Sequence, residues 1–265
     1  MLIVGELINA SRKTIAGAIE AQDAGFIKKV AQEEYEAGAG YIDVNAGIYL
    51  DKEADYIEWL IKNVQEVVDA PCCIDSPDPR VIERGLAVHK GKAMINSISL
   101  EKERFDALLP IVRGSDLKIV ALCMSDEGMP ETAEERLIIA DKLINLLLQN
   151  NIALDNIYVD PLVQPISTKS SFGYEFLIAV EEIMTRFKGV HTICGLSNIS
   201  YGLPVRKVLN QTCAVMAVAK GLDSLIVNPL DKQMIAGLLA AEAVIGKDDY
   251  CVNYLKAYRQ KKLEI

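Results

Sequence analysis

The stretch PCCIDSPDPR, residues 71–80, decides the fold. An apolar run, Cys72-Cys73-Ile74, ends on a carboxylate at Asp75, and two prolines, Pro77 and Pro79, follow at once. Proline halts regular structure, so the run reads as a short buried strand that stops on a charge. The pattern recurs outward along the chain. The segment AMINS reaches Asn96, IYVDP reaches Asp160 and TICGLSN reaches Asn198.

Eight such strands are expected, at 2–8, 41–46, 72–75, 92–97, 118–124, 157–161, 192–197 and 224–228. They are rich in Val, Ile and Cys and lack clean polar alternation, as strands buried on both faces do. Helical patterns lie between them. GFIKKVAQEEYEAGA groups Phe26, Ile27, Val30, Ala31 and Tyr35 on one face. KEADYIEWLIKNVQEVVDA does the same with Ile57, Leu60, Ile61, Val64 and Val68. Thr132 and Glu135 form a capping box ahead of a long helix, and a last helix begins at Asp231. Strands alternating with helices imply a parallel sheet. The 265 residues suit a (β/α)8 TIM barrel, an α/β fold, as one domain over 1–265; an open doubly wound sheet is the competing arrangement. No linker or change of composition divides the chain.

The chain is 51% hydrophobic, with 37 acidic against 28 basic residues and net charge −9, which disfavours a nucleic-acid partner. No apolar run approaches the roughly 20 residues of a membrane span. The N-terminal MLIVGELINASRK has no basic segment ahead of its apolar run, so no signal peptide is read and a cytoplasmic location is expected. Cysteines at 72, 73, 123, 194, 213 and 251, without a C-x-x-C pair and with only two histidines, read as free thiols rather than a zinc site.

In a barrel the active site lies at the C-terminal ends of the strands. Glu6 and Asn9, Asp43 and Asn45, Asp75, Asn96, Met124, Asp160, Ser197 and Asn198 all fall there. Asp and Asn also cap helices, but Asp75, Asn96, Asp160 and Asn198 each terminate an apolar strand. A metal on Asp43, Asp75 and Asp160 is one reading. The interleaved amides favour organic hydrogen bonding, and the 2-amino-4-oxo edge of a pterin, with adjacent N–H donors and a carbonyl, suits such a set.

At this point the chain resembles a known family. CIDS, AMINS, YVDPL and GLSNIS, with MLIVGELIN and IDVNAG before them, look like the methyltetrahydrofolate:corrinoid protein methyltransferases, over nearly the whole chain. The resemblance implies a pterin-binding TIM barrel that transfers methyl between N5 of tetrahydrofolate and the cobalt of a separate corrinoid protein. Tetrahydrofolate or 5-methyltetrahydrofolate is then the substrate, the corrinoid comes with the partner protein, no metal is bound by the chain, and a homodimer is expected. It implies that Asp75, Asn96 and Asp160 hold the pterin ring, that Gly195 and Ser197 shape the same site, and that Asn198 reaches N5 as the catalytic group. Arg206, Glu6 and Asp43 are implied as contacts to the corrinoid or the folate tail. Dihydropteroate synthase shares the barrel and is the alternative, but the basic K-x-x-x-R-x-H ending it uses for pyrophosphate is missing from SLIVNPLDKQ. The D-x-H-x-x-G motif of corrinoid-carrying domains surrounds neither His89 nor His191.

Overall fold

The structure, a computed structural model, describes residues 1–263. Its strands are β1 Leu2–Asn9, β2 Tyr41–Asn45, β3 Cys72–Asp75, β4 Met94–Leu100, β5 Lys118–Ser125, β6 Ile157–Asp160, β7 His191–Thr192 and β8 Ser224–Val227. All pair in parallel in the order β7-β6-β5-β4-β3-β2-β1-β8. The ring is completed where Ile226 N donates to Cys194 O at 3.0 Å and Gly195 bridges Ile226. This is the expected barrel and not an open sheet.

The helices are α1 Lys13–Glu20, α2 Ala24–Ala37, α3 Glu53–Val67, α4 Pro79–Val88, α5 Lys102–Val112, α6 Ala133–Gln149, α7 Phe172–Arg186, α8 Arg206–Ala219, α9 Lys232–Val244 and α10 Val252–Arg259. Local chemistry starts several of them. Asp78 accepts from Arg80 N at 2.9 Å with Pro79 in the first turn of α4. Thr132 and Glu135 make the expected reciprocal box on α6, at 3.2 and 3.0 Å. Asp231 caps α9 through Met234 N at 3.1 Å. At the other end of α2, Gly38 takes φ of 115°, a left-handed cap that a side chain would strain.

Strand parity explains why buried runs end on polar groups. Ile42, Val44, Cys72, Ile74, Ile95, Ile119, Ala121, Ile157 and Val159 face outward and pack in one cluster with α2, α3, α4 and α6. Each fully buried aliphatic there contributes roughly 1.5–3 kcal/mol. The alternate residues, Val4, Tyr41, Cys73, Met94, Val120, Tyr158 and Ile193, fill the barrel interior as a second cluster. Two residues further along these inward rows stand Glu6, Asp43, Asp75, Asn96, Asp160 and Gly195. Both faces of each strand are apolar until the inward row reaches the mouth.

Two strands depart from expectation by more than one residue at an end. The seventh strand, expected over 192–197, is regular only at His191–Thr192, because from Gly195 the chain turns into a 3-10 helix, Leu196–Ser200. The fourth starts at Met94 and runs on to Leu100, since β5 pairs with it beyond Asn96.

Candidate active site at the barrel mouth

A cavity of about 580 Å³ opens at the C-terminal ends of the strands. Its lining includes Glu6, Asp43, Asp75, Asn96, Gly195, Ser197, Asn198 and Arg206, eight of the nine residues to which the resemblance gives a role. Asp160 is the ninth. It lies buried beside the cavity: its Oδ1 accepts from Leu162 N at 2.8 Å, and the Gly195 amide faces its carboxyl.

The floor of the cavity is a set of crowded carboxyls. Asp43 is only 3% exposed, and its Oδ1 has no hydrogen-bond partner among the described residues. Burial first, then the charge of Asp75, push its pKa well above the usual carboxylate range; Cys73 and Asn96 donors offset little of this. Asp75 sits beside Asn96 across the β3–β4 ladder and accepts from Asn45 Nδ2 at 2.9 Å. Burial raises Asp75 too, opposed by that hydrogen bond and by the Arg104 guanidinium. Asp160 is raised to about 7 by burial, against the Leu162 and Gly195 amides and Arg136. Raised in this way, the three carboxyls hold a proton more readily than free ones, so they can offer donors as well as acceptors.

Two arginines also line the cavity. Arg12 binds Glu6 at 2.7 Å, and Arg206 donates to Ser197 O at 2.6 Å and Ser200 Oγ at 3.0 Å, so it braces the 3-10 turn that carries Asn198. Asn198 is exposed on that turn. It does not cap the next helix, because α8 starts at Arg206 with Val205 in the capping position.

Supporting groups were invisible in the sequence reading. Fully buried Arg136 of α6 donates to Pro161 O at 2.7 Å and Leu162 O at 3.3 Å, fixing the turn after Asp160. Arg104 of α5 donates to Ser97 O at 2.9 Å behind Asn96. Arg12, Lys207 and Asn210 also line the cavity. A polar strand-end rule finds none of these, since they reach the mouth from helices and loops.

A model of the family described as "Pterin binding enzyme" matches residues 5–228. The chain belongs to the pterin-binding enzymes. Within that family it is 35% identical, over 99% of its length and 98% of the relative's, to a methylcorrinoid:tetrahydrofolate methyltransferase of Eubacterium limosum. It is 31% identical to methionine synthase of Mycobacterium tuberculosis over 86% of this chain, which spans 20% of that longer protein. Among solved structures, a Yersinia pestis dihydropteroate synthase in a sulfonamide drug complex superposes with a TM-score of 0.71, at 15% identity, over 93% of this chain and 94% of the other. That likeness is one of fold. In this pterin-binding enzyme, the mouth cavity is where the inward polar row, the unpartnered Asp43 oxygen and the Asn198 turn converge.

Proposed function

We propose that the protein transfers a methyl group between N5 of tetrahydrofolate and the cobalt of a corrinoid carried by a separate protein. One observation carries the reading: a cavity whose buried end offers Asp43, Asp75 and Asn96, with an unpartnered carboxyl oxygen among them. An acceptor withdrawn from water and left unpaired is costly, so it is matched by a ligand that brings N–H donors, as the pterin edge does. The full-length relative named a methylcorrinoid:tetrahydrofolate methyltransferase supports the same substrate pair.

The residues then divide the work. Asp75, Asn96 and Asp160 orient the ring, with Gly195 leaving room at the strand end; a Cβ there would meet nothing within 4 Å, so its backbone amide toward Asp160 is the feature used. A cobalt held by the partner would supply the electron pair that takes the methyl from N5, or take that pair back as the methyl passes to N5, while Asp75, Asn96 and Asp160 keep the ring in place. N5 gains a proton as it loses methyl, and loses one as it gains methyl. The Asn198 amide serves N5 with a hydrogen bond that strengthens as the charge on nitrogen changes, which is stabilisation specific to the transition state.

The rim fits a protein partner. Leu50, Tyr201, Val205 and Leu230 are exposed apolar side chains on the mouth loops, where a corrinoid protein would bring its cofactor to the cavity. Further from the mouth, Val215 and Met216 of α8 and Val244 of α9 are exposed, and this surface is the one assigned to a homodimer. Val218 of the same helix is fully buried and belongs to the core. Light scattering should give a dimer; the 29.1 kDa monomer mass would overturn it. A cytoplasmic site of action goes with a free tetrahydrofolate pool, and no described helix is long and apolar enough to cross a membrane.

Dihydropteroate synthesis is the weaker alternative, since the shared architecture speaks only to the barrel. Assays in both directions, methylcobalamin with tetrahydrofolate and 5-methyltetrahydrofolate with reduced cobalamin, test the proposal. Transfer in either direction is expected, and condensation of a pterin pyrophosphate with 4-aminobenzoate without methyl transfer would overturn it.

A further inference from the structure

Strand β1 carries an irregularity with a purpose. Gly5 pairs with Ile42 and Ile8 with Val44, so β1 advances three residues where β2 advances two. This is a bulge, which leaves one residue outside the ladder and re-aims its neighbours. The residues inside it are Glu6 and Leu7, and Glu6 lines the mouth cavity. The Leu7 amide, freed from β2, donates to Glu34 Oε1 at 2.9 Å.

Glu34 belongs to α2, on the outside of the barrel, and is fully buried. Its carboxyl reaches the sheet only because residue 5 is glycine. A Cβ at Gly5 would stand 2.5 Å from Glu34 Oε1 and 2.7 Å from its carboxyl carbon. The second oxygen, Oε2, has no partner among the described residues. A buried, partly unpaired carboxyl is a poor stabiliser, which argues that something other than stability explains it.

We propose that Glu34 is a positioning residue for the mouth: it holds the β1 bulge and so directs Glu6 into the cavity. The inference rests on the reading of that cavity as a folate site. Glu34 is raised to about 8, first by burial, opposed by the Leu7 amide, with Glu6 adding to the shift and Arg12 reducing it. The other charge acting across the sheet is Asp43, which Glu34 raises in turn. The flanking helices α1 and α3 turn apolar residues, such as Ile19 and Ile57, into the same core. A neutral Glu34 keeps its acceptor for Leu7 without setting a third negative charge behind Glu6 and Asp43.

The test compares Glu34→Gln, Glu34→Leu and, as a control on the same helix, exposed Glu33→Gln. Hydrogen exchange at the Leu7 amide, tetrahydrofolate affinity and melting temperature are each followed with pH. Glu34→Gln retains a neutral acceptor, so slow Leu7 exchange and affinity within twofold of wild type are expected. Glu34→Leu retains bulk without an acceptor, so faster exchange and an affinity loss of at least about tenfold are expected, the scale of one hydrogen bond. Because the folded pKa of Glu34 exceeds its unfolded one, the native state holds an extra proton between the two values. Wild-type stability should therefore fall as pH rises towards about 8, more than in Glu34→Gln. Slow Leu7 exchange in Glu34→Leu, or a Gln variant that behaves like the Leu variant, overturns the proposal. If wild type binds no tetrahydrofolate, the folate reading fails, and the exchange and melting data still decide the role of Glu34.

Discussion

The two ends of the barrel interior carry similar chemistry and treat it in opposite ways. At the N-terminal end, His191 Nδ1 donates to Asp223 Oδ2 at 2.6 Å, and its Nε2 lies 3.1 Å from Asp155 Oδ1. The ring stacks on Tyr158 at 4.6 Å, Lys118 binds the Tyr158 hydroxyl, and Lys92 reaches Asn156 at 2.6 Å. Each of these polar groups has found a partner of matching charge or donor capacity. At the mouth, Asp43 and Asp75 crowd together, and an oxygen of Asp43 stays unpartnered among the described residues. Satisfied polar groups at the N-terminal end tie strands together, notably the two-residue β7 to the β8 connection through Asp223. Unsatisfied ones at the mouth are arranged for something that arrives.

This contrast can be broken at several points. The largest expected effect is on rate. Asn198→Ala should lower single-turnover methyl transfer by roughly 10²–10³, the scale for one well-placed donor. Tetrahydrofolate affinity should change little if, as proposed, Asp75, Asn96 and Asp160 hold the ring. Stopped-flow transfer and calorimetric titration on one preparation separate the two quantities. A variant with normal transfer and lost affinity would move Asn198 from the reacting nitrogen to the ring contacts.

Next in size is binding. Asp75→Ala and Asp160→Ala should each weaken tetrahydrofolate by about 1–3 kcal/mol, the scale of a donor left unpaired in a buried site. Unchanged titration isotherms in both would remove the pterin from this wall of the cavity.

The smallest effect belongs to the N-terminal end and sharpens the comparison from the other side. His191→Gln should destabilise the fold by about 1–3 kcal/mol through its loss of a charged hydrogen bond, while folate affinity stays at the wild-type value. The Asp223 and Asp155 bonds hold the His191 pKa above its ordinary value, against burial. Its stabilisation is therefore fully present below the unfolded value of about 6.5 and is lost as pH rises through the folded one. Melting temperatures from pH 5 to 9 should show the gap between wild type and variant closing with rising pH. A constant gap would mean that packing on Tyr158, and not the charge, does the tying.

The legible parts of the sequence were those in which one residue announces itself against its neighbours. Asp75 after Cys72-Cys73-Ile74 and Asn96 after Ala93-Met94-Ile95 stand out because an apolar run has no local use for them, and both line the cavity. Thr132 and Glu135 are legible because a cap is a contact within four residues. Glu34 was not. In QEEYE it reads like Glu33 and Glu36, and only the gap at Gly5, far away in sequence, separates it from a solvated helix face. The pairing of Asn45 with Asp75 depends on strand register, which a single sequence leaves open. The 3-10 turn at Leu196–Ser200 replaced the end of an expected strand because TICGLS is as apolar as its neighbours, and only the closure onto β8 reveals where the ladder stops.

The most direct test of the difference between the two ends is calorimetric titration of tetrahydrofolate into three proteins: wild type, Asp75→Ala and His191→Gln. Equal affinity is expected for wild type and His191→Gln, with Asp75→Ala weaker by roughly 5- to 150-fold. Equal affinity in all three, or no binding to wild type, would contradict it.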